Sequence, residues 1–218
     1  MNKASAIIPA YNEEQTIASV VLPIKNSGLF EEIIVVSDGS TDNTAHQARS
    51  AGATVYEFDK NIGKGNAMRF GASKTSADIL AFFDADLIGL REDHVSRLLS
   101  PVSKGHVAMN SALRDRGRFA TALSRFLPII TGERALKREI FDSVPEKYKH
   151  GFMIEAAINY ACKIKKLPRG VIVFDGVSMR RKYQKVSAMK AFAQYVIMFI
   201  EIAKATLLIR LDRIFGKF

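Results

Sequence analysis

The chain has 218 residues, 48% hydrophobic and 25% charged, ordinary proportions for one large soluble domain with enough apolar residues for a substantial core. Its single cysteine, Cys162, excludes an intramolecular disulfide and, lying in an apolar helical pattern, reads as a buried structural thiol. The formal charge of +10 falls mainly on residues 180–218, where nine Lys/Arg meet only Glu201 and Asp212. A basic tail on a near-neutral body points to an anionic surface. No helix-turn-helix, zinc-ligand set or aromatic RNA-binding motif accompanies it, so a membrane is favoured over nucleic acid. The first residues lead straight into a short strand without a secretory apolar region, and a cytoplasmic protein is expected.

The first half alternates between strand-like and helix-like runs. Residues 5–9, 33–37, 54–58 and 79–83 read as strands, and residues 13–29, 42–51 and 65–75 as helices. This order implies a mainly parallel sheet covered by helices on both faces. Ligands of such sheets lie at the carboxyl ends of the strands. The fourth strand is a continuous apolar run, as a buried parallel strand should be, and it ends in Asp84-Ala85-Asp86. Two carboxylates there suit Mg²⁺ or Mn²⁺, completed by substrate phosphates. The plain alternative is a turn, where Asp is common.

The other strand ends carry their own polar groups. After the first strand comes Pro9-Ala10-Tyr11-Asn12-Glu13-Glu14, in which Tyr11 offers a ring to stack on a base. After the second comes Asp38-Gly39-Ser40-Thr41-Asp42. Thr41 and Asp42 are explained as helix caps, whereas Asp38 lies too early to cap and could accept from a base N–H or a ribose hydroxyl. After the third comes Asn61-Ile62-Gly63-Lys64-Gly65, opening a helix whose free N–H groups attract phosphate. Lys64 adds a point charge to a diphosphate and Arg69 follows about a turn later; an ordinary glycine-rich turn with solvated charges is the other reading. The Walker pattern is absent.

Order and spacing of residues 7–14, 36–42, 61–65 and 84–86 resemble the family 2 glycosyltransferases of the GT-A fold. The resemblance covers roughly the first half. It implies that Pro9, Tyr11, Glu13 and Asp38 hold the nucleoside of a sugar nucleotide. It implies that Asp84 and Asp86 bind the divalent ion bridging the diphosphate, with Lys64 or Arg69 nearby. Polyprenyl-phosphate sugar synthases and glucosyl-phosphoglycerate synthase are the nearest in pattern. A nucleotidyltransferase is the competing class, but its glycine-rich basic loop is missing after the first strand.

In the second half residues 107–111 and 171–174 read as strands, and a helix runs through Lys165. The segment from Ile130 to Arg138 resembles the family's Ser/Thr-Gly-x-Arg-Ala stretch on the acceptor side. Arg134 there would suit a phosphate, because its fork pairs two oxygens; a surface ion pair with Glu133 or Asp142 is the alternative. Glu155, in the first turn of a helix, is explained by the helix dipole or, by resemblance to the family's Gly-Phe-x-x-Glu segment, as the general base toward an acceptor hydroxyl. Relatives place a metal-ligating His near residues 178–182, where this chain has Met179, Arg180 and Arg181, so a third protein ligand is in question.

Two units are expected: a catalytic domain over residues 1–186 and an amphipathic basic helix over 187–218. That helix is too interrupted by charge to span a bilayer. It would lie in a membrane interface or pack on the domain or a second subunit, a homodimer. The expected acceptor is a polyprenyl phosphate at the membrane surface, with a soluble phosphorylated molecule such as phosphoglycerate as the alternative.

Overall fold

The computed structural model describes residues 3–114, 131–151, 153–179, 207–209 and 211–212. Seven strands form one sheet: β1 (Ala4–Ala10), β2 (Glu32–Asp38), β3 (Thr54–Phe58), β4 (Ile79–Phe82), β6 (Met109–Arg114), β7 (Arg134–Lys137) and β8 (Arg169–Phe174). A separate two-stranded ribbon joins β5 (Leu87–Ile88) to β9 (Ser178–Met179). The order across the sheet is β3-β2-β1-β4-β7-β6-β8. Strands β3, β2, β1 and β4 are parallel, β7 runs antiparallel between β4 and β6, and β8 is parallel to β6. The mixed sheet, flanked by helices, is the expected α/β class.

Burial on both faces explains the apolar runs. Along β4, Ile79, Ala81 and Phe83 enter one core cluster while Leu80 and Phe82 enter the other. Ile8 and Ile7 of β1 divide the same way. The period-two alternation of a strand does this wherever helices cover both sides. The first cluster lies beneath α1 (Ile17–Asn26) and α4 (Glu92–Ser103), the second beneath α3 (Lys64–Ser73), α5 (Arg138–Asp142) and α6 (Met153–Ile164). A short α2 (Thr44–Ser50) lies between β2 and β3. Cys162 is fully buried in the second cluster, its Sγ 3.9 Å from Met109 Sδ, as expected of a structural thiol.

Three elements depart from the expectations. α1 begins at Ile17 rather than Glu13, because the β1–α1 loop is held open by contacts with the next loop. α4 was not anticipated, although Val95, Leu98, Leu99 and Val102 form a buried stripe at helical spacing. β7 falls in the acceptor-side stretch, to which no strand was assigned, and it inserts beside β4.

The C-terminal helix falls largely outside the described residues. Within it, Leu207–Ile209 and Leu211–Asp212 are helical. Ile209 is fully buried in the second core cluster, and Asp212 accepts from the Tyr148 hydroxyl and pairs with Lys147. This part packs on the domain. Among the described residues, no helix is long and apolar enough to cross a membrane.

Candidate active site

The sheet order reverses about β1, with β2 and β3 on one side and β4 on the other. A crevice opens at such a switch point, at the carboxyl ends of the strands. The sequence puts Tyr11 to Glu14 after β1, Asp38 at the end of β2 and Asp84 just beyond β4.

The first two loops are laced together by side chain to backbone bonds. Asn12, at φ +55°, accepts from Thr41 N–H at 2.9 Å, and its own N–H reaches Ser40 Oγ at 3.1 Å. Glu13 N–H donates to Thr44 Oγ1 at 2.7 Å, Glu14 N–H to Asp42 Oδ2 at 3.2 Å, and Asn43 N–H to Glu14 Oε2 at 3.0 Å. Burial opposes the charge on Asp42, but the donors of Thr44 and Glu14 outweigh it and hold its carboxyl below the usual range. Asp42 also accepts from Thr44 N–H at 3.0 Å, so it does serve the start of α2. The Glu13 carboxylate accepts from Thr16 Oγ1 at 3.1 Å. Pro9 is partly buried, and the Tyr11 ring is 49% exposed, open to a stacking partner.

Asp38 is buried, and both its oxygens accept loop N–H groups, from Ile62 at 2.8 Å and Gly63 at 2.9 Å. The carboxylate expected to face a ligand thus fastens the loop that delivers Lys64. Gly39 completes the fastening: at φ +70°, a side chain there would overlap the backbone of Lys60 and Asn61.

Lys64 is the centre of the site. Its Nζ donates at 2.7 Å to Asp84 Oδ1 and at 2.7 Å to Glu155 Oε1. Burial opposes the ammonium charge, yet the two carboxylates outweigh it and hold Lys64 well above the usual lysine range. Burial likewise pushes Asp84 up, and Lys64, with Arg114 and Arg134 behind it, wins and holds the carboxyl low. The Lys64, Asp84 and Glu155 side chains are 23%, 15% and 3% exposed, so this is a sheltered pair of ion pairs rather than a surface one. Gly132 packs against Asp84 so closely that a Cβ would overlap both carboxylate oxygens. Gly65 lets the first turn of α3 approach residues 150–151, where an added Cβ would come within 2.6 Å of the His150 carbonyl carbon.

Behind Asp84 lies a second charged layer, Glu133, Arg114 and Arg134, of which sequence reasoning singled out Arg134. Glu133 is fully buried; one oxygen accepts from Thr131 Oγ1, and Oε1 has no hydrogen-bond partner among the described residues. Burial and the nearby Asp84 charge push its carboxyl up. Arg114, at the end of β6, likewise has a buried Nη1 without a hydrogen-bond partner among the described residues. Arg134 is fully buried, and its guanidinium donates to the Thr131 carbonyl and, at 3.3 Å, to the Glu155 carbonyl. Its full burial excludes a surface ion pair with Glu133 or Asp142, and these bonds brace the start of α6. Arg69 pairs at 3.2 Å with Glu146 on the surface, at 52% and 65% exposure, rather than in the Lys64 cluster.

Asp86 is partly buried and leads directly into β5. With Asp84 it gives an oxygen donor set suited to a hard divalent cation. Among the described residues no group of three or more His, Cys, Asp or Glu could hold a metal. The ammonium already seated on Asp84 shows that this position favours positive charge. Residues 180–182 lie outside the described residues, as does Phe152.

The sequence pattern of glycosyl transferase family 2 matches residues 5–161. The glucosyl-3-phosphoglycerate synthase of Mycolicibacterium smegmatis is 41% identical over 107 residues, which are 45% of this chain and 35% of that protein. The 4,4'-diaponeurosporenoate glycosyltransferase of Staphylococcus haemolyticus is 43% identical over 96 residues, 41% of this chain and 25% of that protein. The matched stretch thus spans about a third or less of these curated relatives. Among solved structures, glucosyl-3-phosphoglycerate synthase from Mycobacterium tuberculosis, in complex with Mn²⁺, uridine diphosphate and glucosyl-3-phosphoglycerate, superposes with a TM-score of 0.77 at 24% identity. That match covers 94% of this chain and 80% of the other, and shows the GT-A fold. The sheet, the carboxylates at its switch point and the family pattern agree, and the chain belongs to glycosyl transferase family 2.

Proposed function

We propose that this chain is a metal-dependent glycosyltransferase that moves a sugar from a nucleoside diphosphate sugar to a small phosphorylated acceptor. The observation that carries the reading is Lys64 Nζ at 2.7 Å from both Asp84 and Glu155, at the carboxyl edge of the sheet. It ties a candidate cation ligand to a candidate base. Asp84 and Asp86 would hold Mg²⁺ or Mn²⁺, the ions bound in the solved synthases from M. tuberculosis. Such an ion would neutralise the diphosphate as the bond to the sugar breaks. Lys64 adds fixed positive charge beside the same phosphates. Pro9, Tyr11 and Glu13 border the nucleoside, with the open Tyr11 ring as the stacking surface. Asp38 shapes that pocket by holding residues 62–63.

Glu155 accepts the proton of the acceptor hydroxyl, and Arg134 fixes its helix from behind. The acceptor's anionic group falls to Arg114, whose buried Nη1 lacks a hydrogen-bond partner among the described residues. The relatives favour the soluble acceptor over the lipid phosphate expected from the tail: the named M. smegmatis relative is a phosphoglycerate glucosylating enzyme. The lipid phosphate stays as a second reading on one observation, the exposed trio Leu207, Leu208 and Leu211 at 60%, 38% and 42%.

The test is transfer from UDP-glucose with Mn²⁺, offering 3-phosphoglycerate and polyprenyl phosphate separately. The reading expects transfer to phosphoglycerate, abolished by removing Mn²⁺ and by Asp84→Asn. Glu155→Gln should lower kcat by about 10²–10⁴. Transfer only to the polyprenyl phosphate selects the second reading, and transfer that survives Asp84→Asn contradicts both.

A further inference from the structure

The ribbon β5–β9 touches the site through Asp86, which immediately precedes it. Leu87 pairs with Met179 and Ile88 with Ser178. Two pairs are too few to hold a ribbon in water, so something else must order it. Gly89 lies against Gly176, where an added Cβ would come within 2.8 Å of the Gly176 carbonyl oxygen. The stronger tie comes from α4. Arg97 donates at 2.9 Å to Asp175 Oδ1 and at 2.8 Å to the Val173 carbonyl, and Arg91 donates at 3.0 Å to Asp175 Oδ2. The Arg91, Arg97 and Asp175 side chains are 50%, 45% and 61% exposed, so each ion pair alone is weak.

His94 turns these exposed pairs into one unit. Its side chain is fully buried, stacked on Phe174 with ring centroids 4.9 Å apart. Nδ1 accepts the Arg91 backbone N–H at 3.3 Å, and Nε2 faces the Arg91 guanidinium at 2.8 Å. Asp175 Oδ1 is 3.5 Å and Asp93 Oδ2 3.8 Å from Nε2. Asp93 in turn accepts from Arg91 Nε at 2.9 Å. A neutral imidazole has one acceptor nitrogen; a doubly protonated one has none. Both ring nitrogens face Arg91 donors; a neutral ring can accept one of the two and a doubly protonated ring neither, so the geometry favours the neutral ring.

We propose that His94 is a positioning residue: neutral, it closes a latch of Arg91, Arg97 and Asp175 that orders the β5–β9 ribbon and so sets Asp86 beside Asp84, and protonated, it opens that latch. The proposal rests on the donor-site reading for what Asp86 does. Burial pushes His94 below its ordinary value, with Asp93 and Asp175 opposing and Arg91 adding to the effect. A depressed histidine contributes stability that is complete above its unfolded value of about 6.5 and is lost as the pH falls below it.

The experiment uses the full chain with Asp175→Asn, His94→Phe and His94→Asn. It follows hydrogen exchange at residues 87–88 and 178–179 and titrates Mn²⁺ in the presence of UDP. The latch expects Asp175→Asn and His94→Phe to speed ribbon exchange about tenfold or more while sparing β1 and β2. It expects Mn²⁺ affinity to fall about tenfold, the low end for residues that orient metal ligands. His94→Asn, which retains an acceptor for Arg91, should restore most of the protection. Wild-type ribbon exchange should rise below about pH 6.5, and His94→Phe should lose that pH step. Unchanged ribbon exchange overturns the proposal, as does faster exchange with unaltered Mn²⁺ affinity. Asp175 is a surface residue, so its variant tests the latch even where a His94 variant fails to fold. A wild type that takes up no Mn²⁺ contradicts the donor-site reading instead, and exchange alone then decides the latch.

Discussion

The two sides of the crevice use their carboxylates in opposite ways. On the β1–β2 side Asp38, Asp42 and Glu14 accept backbone N–H groups. On the β4–β7 side Asp84 and Glu155 meet the ammonium of Lys64. A carboxylate satisfied by backbone amides fixes the shape of a loop and has no reason to change partner when a ligand arrives. A carboxylate held by one flexible side chain can pass to an incoming cation of higher charge. One side is a mould, the other an exchangeable charge.

Lys64→Met breaks the comparison most severely. It leaves Asp84 and Glu155 sheltered without their cation, and breaking such a pair costs about 3–5 kcal/mol. Urea unfolding at pH 7 should show the loss, and added Mn²⁺ should recover part of it because Asp84 accepts the substitute. Gly39→Ala strikes the mould. A left-handed backbone and an overlap with Lys60 and Asn61 should cost about 1–3 kcal/mol, with no recovery on adding Mn²⁺. Asp38→Asn keeps one acceptor of the two and turns an N–H donor on the other loop amide. A loss of about 1–3 kcal/mol is expected, again insensitive to metal.

The smallest effect sharpens the charged side. Glu133 has a raised carboxyl, so its folded form holds a proton more readily than the unfolded chain. The stability this gives is present below the unfolded value of about 4.3 and falls as the pH rises through the folded value. Glu133→Gln keeps an acceptor for Thr131 and removes the charge. It should match wild type near pH 4 and exceed it in Tm near pH 8. A variant less stable than wild type at pH 8 would show instead that the ionised Glu133 is paired with Arg114.

The sequence made the parallel half legible because burial on both faces demands unbroken apolar runs, as in residues 79–83. The Asp84 and Asp86 pair stood out for the same reason, two charges closing such a run. The burial of Arg134 was not legible, because one of the carbonyls it meets, at Glu155, lies 21 positions away and only the fold brings it near. The contact of Lys64 with Glu155 spans 91 positions, and nothing local announces it. Glu133 was legible only as a surface partner for Arg134, because a buried carboxylate and a solvated one read alike. α4 was legible in the spacing of Val95, Leu98, Leu99 and Val102 and was missed. Asp38 stood out as an acceptor, but its loop partners, the Ile62 and Gly63 N–H groups, lie 24 and 25 positions away and were not legible.

The most direct measurement is thermal melting with UDP, with and without Mn²⁺, on wild type and Asp84→Asn. Ligand bound only by the folded state at a hundredfold excess over Kd stabilises by about 2.7 kcal/mol. The exchangeable-charge account predicts a UDP shift that needs Mn²⁺ and disappears in Asp84→Asn. A UDP shift that is indifferent to Mn²⁺, or that persists in Asp84→Asn, would contradict it.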